Sequence, residues 1–299
     1  MKKRLLTGLV ILFLTIGSIV LRQFSLYFFD AFSLVIMYGA LIEFARIQKQ
    51  QNKKISLWLL LLVPVAEFAI FAFASGQLIL LLNLILALFM VLVLVTEEIA
   101  AFAKHRKMTH IEQDPAEVNA HLFDTTKNTM MIFAYPILPL SFLFAINHMG
   151  FSVGYLGVIL IFVVAMMTDT FAYLIGSAFG KTKFIPEVSP KKSVAGVFGG
   201  FLGAILGVVA VFLIIYCTDW LGICSANSKG MFACAMIVIA LVGSYANQIG
   251  DLIASAYKRR AGVKDFSNIF PGHGGFMDRV DGLMFVSVVV YVVLALMIV

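Results

Sequence analysis

Across its 299 residues the chain is 62% hydrophobic and only 13% charged, with a mean hydropathy of +1.01. A soluble domain carries about a quarter charged residues, so this composition excludes a water-soluble globular protein and makes the bilayer its solvent. The net charge of +6 would suit a nucleic-acid partner in a soluble chain, but the placement of the basic residues makes no nucleic acid necessary.

The chain opens Met1-Lys2-Lys3-Arg4 ahead of an apolar run to about Leu21. A basic start and an apolar core are the marks of a signal peptide. No small-x-small cleavage pattern follows and further apolar runs do, so the segment reads as an uncleaved first helix. Stretches long enough to cross a membrane fall near 5–21, 26–45, 57–75, 78–103, 129–147, 154–179, 194–216, 231–256 and 280–299. Lipid leaves no way but helices or a closed barrel to satisfy the backbone. The expectation is therefore an all-α, polytopic membrane bundle of about nine transmembrane helices. Twenty of the 22 lysines and arginines lie at the N-terminus or in the segments 46–56, 104–128, 180–193 and 257–279, and only Arg22 and Lys229 lie elsewhere. The positive-inside rule then predicts a cytoplasmic N-terminus, an external C-terminus and four cytoplasmic loops. Residues 1–150 form an N-terminal region with the first five spans. Residues 151–299 form a C-terminal region with the last four and the cytoplasmic loops 180–193 and 257–279. Cys217 and Cys224 flank a short polar loop and are read as free thiols, or as a disulfide if that loop meets an oxidising compartment.

Polar residues inside spans are costly and usually functional. Glu67 sits mid-span; Glu43, Glu97 and Glu98 lie towards helix ends and read as interfacial. Asp169, within Thr168-Asp169-Thr170, is either an interhelical hydrogen-bonding group or part of a site. The loop Ser189-Pro190-Lys191-Lys192-Ser193 precedes a helix and so suits a phosphate, although a juxtamembrane lysine pair is more often a topological anchor or a contact with acidic lipid.

A denser run follows. Asp251, Ser255, Lys258 and Arg259 recur at i, i+4, i+7 and i+8, one face of a helix. Lys264-Asp265, Pro271-Gly272-His273-Gly274-Gly275 and Asp278-Arg279-Val280-Asp281 come next. Carboxylates mixed with Lys, Arg and Gly point to Mg²⁺ bridging Asp oxygens to phosphates, since Mg²⁺ prefers oxygen and shares its sphere with substrate. The bland alternative is ion pairing that ties two helices together. His273 has no partner at a zinc spacing.

The stretch from Ser255-Ala-Tyr-Lys258-Arg259 through Lys264-Asp265 to Pro271-Gly-His273-Gly-Gly-Phe-Met-Asp278-Arg279-Val-Asp281 resembles the signature of the phosphatidate cytidylyltransferases, or CDP-diacylglycerol synthases. The resemblance extends upstream to Gly250-Asp251-Leu252, Ser189-Pro190-Lys191-Lys192 and Thr168-Asp169, so it covers the C-terminal half. Tyr257 stands where an aliphatic residue or Phe is usual, and Ala254 where many members carry an acid. The resemblance implies transfer of a cytidylyl group from CTP to phosphatidate, giving CDP-diacylglycerol and pyrophosphate. It also implies Mg²⁺ held by Asp251 and Asp278 with Asp281 behind them, with room for a second, monovalent cation. Asp251, Lys258, Arg259 and Asp278 would then form the catalytic set. Asp169, Ser189, Lys191, Lys192, Ser255, Lys264, His273 and Arg279 would bind substrate. With no organellar targeting signal evident, the expected setting is the inner membrane of a bacterium, with the active site on the cytoplasmic side that the topology gives it, membrane lipid as neighbour and a homodimer among the expected assemblies. Two other readings stay open: a transporter or channel built on Glu67 and Asp169, and another CTP-dependent lipid phosphotransferase.

Overall fold

A computed structural model describes residues 2–74, 77–109, 123–218 and 229–298. Apolar sequence becomes helix nearly throughout: α1 (Lys2–Leu21), α2 (Leu26–Gln50), α3 (Leu57–Phe73), α4 (Gln77–Thr109), α5 (Asp124–Ile132), α6 (Leu138–Asn147), α7 (Phe151–Phe179), α8 (Val194–Thr218), α9 (Lys229–Arg260), α10 (Met277–Val280) and α11 (Leu283–Ile298). The protein is a polytopic all-α membrane protein. Among the described residues seven helical segments are long and apolar enough to cross a membrane, and α1 and α3 contribute shorter apolar stretches, Leu6–Leu21 and Leu57–Phe73. At 1.5 Å per residue these two reach only about 25 Å, short of the roughly 30 Å hydrocarbon core. Cys217 and Cys234 are exposed free thiols. Cys224, on which the disulfide expectation turns, lies outside the described residues, as does much of 104–128.

Two spans are broken where the sequence reads as continuous. Between α5 and α6 the chain passes through a wide turn, Phe133–Ile137, in which Tyr135 is extended at φ −153°, ψ 107°. Pro136 follows it; proline has no N–H and its ring crowds the preceding turn. The last span is interrupted at Asp281-Gly282, leaving α10 as a single turn ahead of α11. The loop after α7, residues 180–193, holds a small antiparallel hairpin of β1 (Lys183–Ile185) and β2 (Ser189–Ser193).

Lipid tails are as apolar as leucine, so helices associate through close packing and interhelical hydrogen bonds. The tightest seam runs between α7 and α8, where Gly196, Gly199, Gly203 and Gly207 face Ala172, Ile175, Phe171 and Met167. The core is filled by Phe29, Met37 and Phe44 of α2, Phe144 of α6, Ile161 of α7 and Met284 of α11, all fully buried. By contrast, α4 turns Leu84, Leu88 and Leu92 outward, as a lipid-facing helix should.

The loops gather at two ends. At one, Arg22 is buried: its guanidinium donates to the Asn147 side chain and carbonyl at 2.5 and 2.9 Å. Asn147 in turn donates to Asp30 at 2.7 Å, and His148 meets the other Asp30 oxygen at 3.0 Å. Burial pushes the Arg22 guanidinium down to about 10, with Tyr155 and Asp30 acting the other way, so it stays charged at neutral pH. Arg22 is thus a structural clasp between the α1–α2 and α6–α7 connections. The opposite end carries the start of α1, the end of α2, the hairpin, the end of α9 and the turn α10.

Candidate active site

At that second end the C-terminal halves of α7 and α9 converge with α10 around a cavity of about 480 Å³. The α7 residue Asp169 lines it, with Asp251 and Lys258 from α9, Lys191 from β2, and Asp278, Arg279 and Asp281 from the interrupted last span. The loop between α9 and α10 closes the ring with Lys264, Asp265, Asn268, Gly272, His273 and Gly274. The four-residue periodicity of the sequence thus does put Asp251 and Lys258 on one wall, and the last span brings three more charges to face them.

Close backbone approach makes this possible. Gly250 lies against the Asp281 carbonyl and the Phe285 ring, where any side chain would collide. The absent side chain lets α9 and the last span draw together beside Asp251 and Asp281.

The charged groups are already bonded to one another. Lys258 donates to Asp278 at 2.7 Å, both side chains being almost enclosed, and its ammonium sits 5.4 Å from the centre of the Phe266 ring. The second Asp278 oxygen accepts the backbone N–H groups of Phe266 and Gly275, both at 2.9 Å. Lys192 pairs with Asp251 at 2.8 Å and donates to the Gln248 carbonyl at 3.3 Å. The Ser255 hydroxyl donates to the other Asp251 oxygen at 3.2 Å. Asp169 accepts from the Asn247 amide at 2.7 Å, an interhelical bond, and also lines the cavity. Asp281 accepts the N–H of Gly282 at 2.8 Å.

Most sequence-expected residues therefore meet here. Asp169, Lys191, Asp251, Lys258, Lys264, His273, Asp278, Arg279 and Asp281 line the cavity; Lys192 and Ser255 touch its lining through Asp251. Ser189, in β2, and Arg259, exposed at the end of α9, lie outside the lining. The two departures from the family pattern face elsewhere. Ala254 is fully buried, and the Tyr257 ring stacks on Phe44 of α2 at 4.4 Å between centroids. The sequence alone gives no part in the site to Asn268 and marks Glu43 only as an interfacial acid. The Glu43 carboxylate accepts the N–H groups of Phe276 and Met277, each at 2.9 Å, and the Ser267 hydroxyl at 2.5 Å. A single glutamate at a helix end carries no local signal of such a contact.

Fitness for a divalent cation can be judged from the donors. Among the described residues no three acids or imidazoles converge into a closed metal cage. Asp278 has both oxygens engaged, whereas Asp169 and Asp281 each have one oxygen that no described group reaches. All-oxygen donors next to lysine and arginine, without a cage, fit Mg²⁺, which binds through one or two carboxylates and takes the rest of its sphere from water and phosphate.

Several known proteins are similar to this chain in sequence. A phosphatidate cytidylyltransferase of Thermotoga maritima is 35% identical over 182 residues, 61% of this chain and 62% of the relative. Others so named from Staphylococcus epidermidis and Staphylococcus saprophyticus are 38% identical over 137 and 127 residues, 47% and 44% of their lengths. The chain thus spans roughly half to three-fifths of the relatives it matches. The model of the Cytidylyltransferase family matches residues 2–297, essentially the whole chain, and the protein belongs to that family.

Proposed function

We propose that the protein transfers a cytidylyl group from CTP to phosphatidate, releasing pyrophosphate, at the cytoplasmic face of a bacterial inner membrane. The observation that carries this reading is a cavity in which carboxylates of α7, α9 and the last span meet Lys191, Lys258, Lys264 and Arg279 at a bundle end. A nucleotide alone would need only the basic groups, and a transported cation only the acids.

An oxygen of the phosphatidate phosphomonoester attacks the α-phosphorus of CTP. The bond from that phosphorus to the β-phosphate oxygen breaks, and pyrophosphate departs. The attacking oxygen is already ionised at neutral pH, so the chain need not supply a strong general base; neither His273 nor Asp265 is given that part. Its work is holding two anions in line and neutralising them. Arg279 grips phosphate through its bidentate guanidinium fork, Lys258 and Lys264 act as point charges, and Lys191 and Lys192 reach in from the hairpin, while Arg259, exposed outside the lining, takes no part. Asp251, Asp278 and Asp281 would hold Mg²⁺, which would supply added positive charge at the triphosphate. The acyl chains stay in lipid against the exposed apolar helix faces.

The test is an incubation of purified protein in detergent with phosphatidate, CTP labelled at the α-phosphate and Mg²⁺. Label is expected in the lipid, lost with EDTA and reduced at least 100-fold in Asp251→Asn. Label entering lipid only from the γ-phosphate would make the protein a kinase instead. No labelled lipid from folded protein with either Mg²⁺ or Mn²⁺ would overturn the reading.

A further inference from the structure

We infer that Glu43, in the second helix, is a positioning residue for the reaction: its carboxylate anchors the turn that carries Asp278, Arg279 and Asp281. The inference rests on the functional reading above and concerns a residue outside the C-terminal half that carries the family resemblance.

Glu43 is 1% exposed, and a buried carboxylate must find partners or be strongly disfavoured. Its partners all come from one place more than 220 residues away in the chain: Ser267 and the first N–H groups of the α10 turn, Phe276 and Met277. The first N–H groups of a helical turn have no intrahelical acceptor. Glu43 fills that need from another helix. Neighbouring contacts show an interface built for this approach. Gly275 faces the Glu43 carboxylate so closely that any side chain there would strike it, and the Phe276 ring lies against Gly39, one helical turn before Glu43. One residue beyond the Glu43-bonded N–H groups stands Asp278, whose two oxygens bind Lys258, Phe266 and Gly275. The two carboxylates therefore hold successive N–H groups of the same turn, Asp278 that of Gly275 and Glu43 those of Phe276 and Met277. A second N-terminal contact reaches the loop from α1, where Thr7 meets His273 Nδ1 at 2.9 Å.

Charge and shape should both matter. In Glu43→Gln the amide nitrogen would face a backbone N–H, donor against donor, so one anchor is lost and a repulsion is added. The experiment uses full-length protein in detergent and compares wild type with Glu43→Gln, Glu43→Asp, Glu43→Ala and Glu97→Gln. Glu97, a half-buried acid within α4, bonds to Ser56 and Trp58 and lies outside the cavity lining. Cytidylyl transfer is measured against Mg²⁺ and CTP concentration, and tryptic cleavage after the exposed Lys264 is followed in parallel. The expected results are a fall in kcat of tenfold or more in Glu43→Gln with a rise of at least threefold in the Mg²⁺ concentration for half-maximal rate, partial rescue in Glu43→Asp, and no change in Glu97→Gln. Cleavage after Lys264 should quicken severalfold in Glu43→Gln and Glu43→Ala. Unaltered kcat, Mg²⁺ dependence and cleavage would overturn the inference. So would a loss of activity matched by loss of folded protein at unchanged Mg²⁺ dependence, which is what a merely structural glutamate would give. If the wild type labels no lipid, the functional reading fails by itself. The cleavage rates then decide the anchor separately: equal rates in wild type and Glu43→Ala overturn it.

Discussion

Lys258 and Asp278 form an almost enclosed ion pair, and Asp278 also gathers two backbone N–H groups of the loop before it. Breaking such a pair leaves a charge without compensation, at a cost of about 3–5 kcal/mol. Asp278→Asn should therefore do two things at once: abolish turnover and free the loop, read as faster tryptic cleavage after Lys264. Asp251→Asn should abolish turnover and leave that cleavage unchanged, because Asp251 holds a hairpin lysine and a serine of its own helix rather than the loop. Glu67 presents the opposite case. Both its oxygens are buried on α3 without a hydrogen-bond partner among the described residues. A buried polar group without partners costs about 1–3 kcal/mol, so Glu67→Leu should raise the melting temperature in detergent while cytidylyl transfer stays within twofold of wild type. A marked fall in activity would give Glu67 a part in the site after all. At this scale the sequence was most readable where several charges recur within one short stretch. Asp251, Lys258, Asp278 and Arg279 stand together in space because helical periodicity and a short loop put them there. Glu43 was unreadable for the reverse reason: its partners lie far along the chain, and only the packing of α2 against the last span joins them.

Helices were legible from apolar runs, since nothing else satisfies a backbone in lipid. Their interruptions were less so. The break at Tyr135-Pro136 had a cue in the proline, but the break at Asp281-Gly282 reads locally as continuing helix. The α7–α8 seam gives this scale its own test. A side chain at Gly203 would meet the Met167 carbonyl and the Phe171 ring, so Gly203→Val should force the helices apart and sharply lower the yield of monodisperse protein. Gly17 faces open space on α1, and Gly17→Val should be tolerated apart from any lipid contact. Equal yields from both would mean the seam has slack that the packing does not suggest. The hairpin β1–β2 offers a second test. Its Lys192 bridges to Asp251 and to the Gln248 carbonyl, linking the start of α8 to α9. In Lys192→Ala the apparent KM for substrate should rise about tenfold.

For the molecule as a whole, the ends that meet at the cavity belong to the segments in which the basic residues concentrate: the N-terminus, the end of α2, the hairpin and the α9–α10 loop. The positive-inside rule would put these on the cytoplasmic side, so, with the native cysteines replaced by serine, a cysteine introduced at Asn52 or at Lys181 should react with an impermeant maleimide only in inverted vesicles. Labelling in right-side-out vesicles would reverse the orientation and with it the side from which CTP arrives. Fold class was the most legible property of all, because composition alone demanded it. The division of labour between the two halves was not, because one apolar span looks much like another until its neighbours are known.

The bond from Glu43 to Phe276 spans 233 residues, and that separation also has a meaning in time. At about 5–20 residues per second of synthesis, α2 is complete on the order of 10 to 50 s before the turn it anchors has been made. Throughout that interval the glutamate must stay near water at the membrane edge or lean on partners it will later give up. The last stretch to be translated therefore finishes the second helix as well as itself. A chain released before residue 276 carries Glu43 without the backbone N–H groups that hold it in the finished protein.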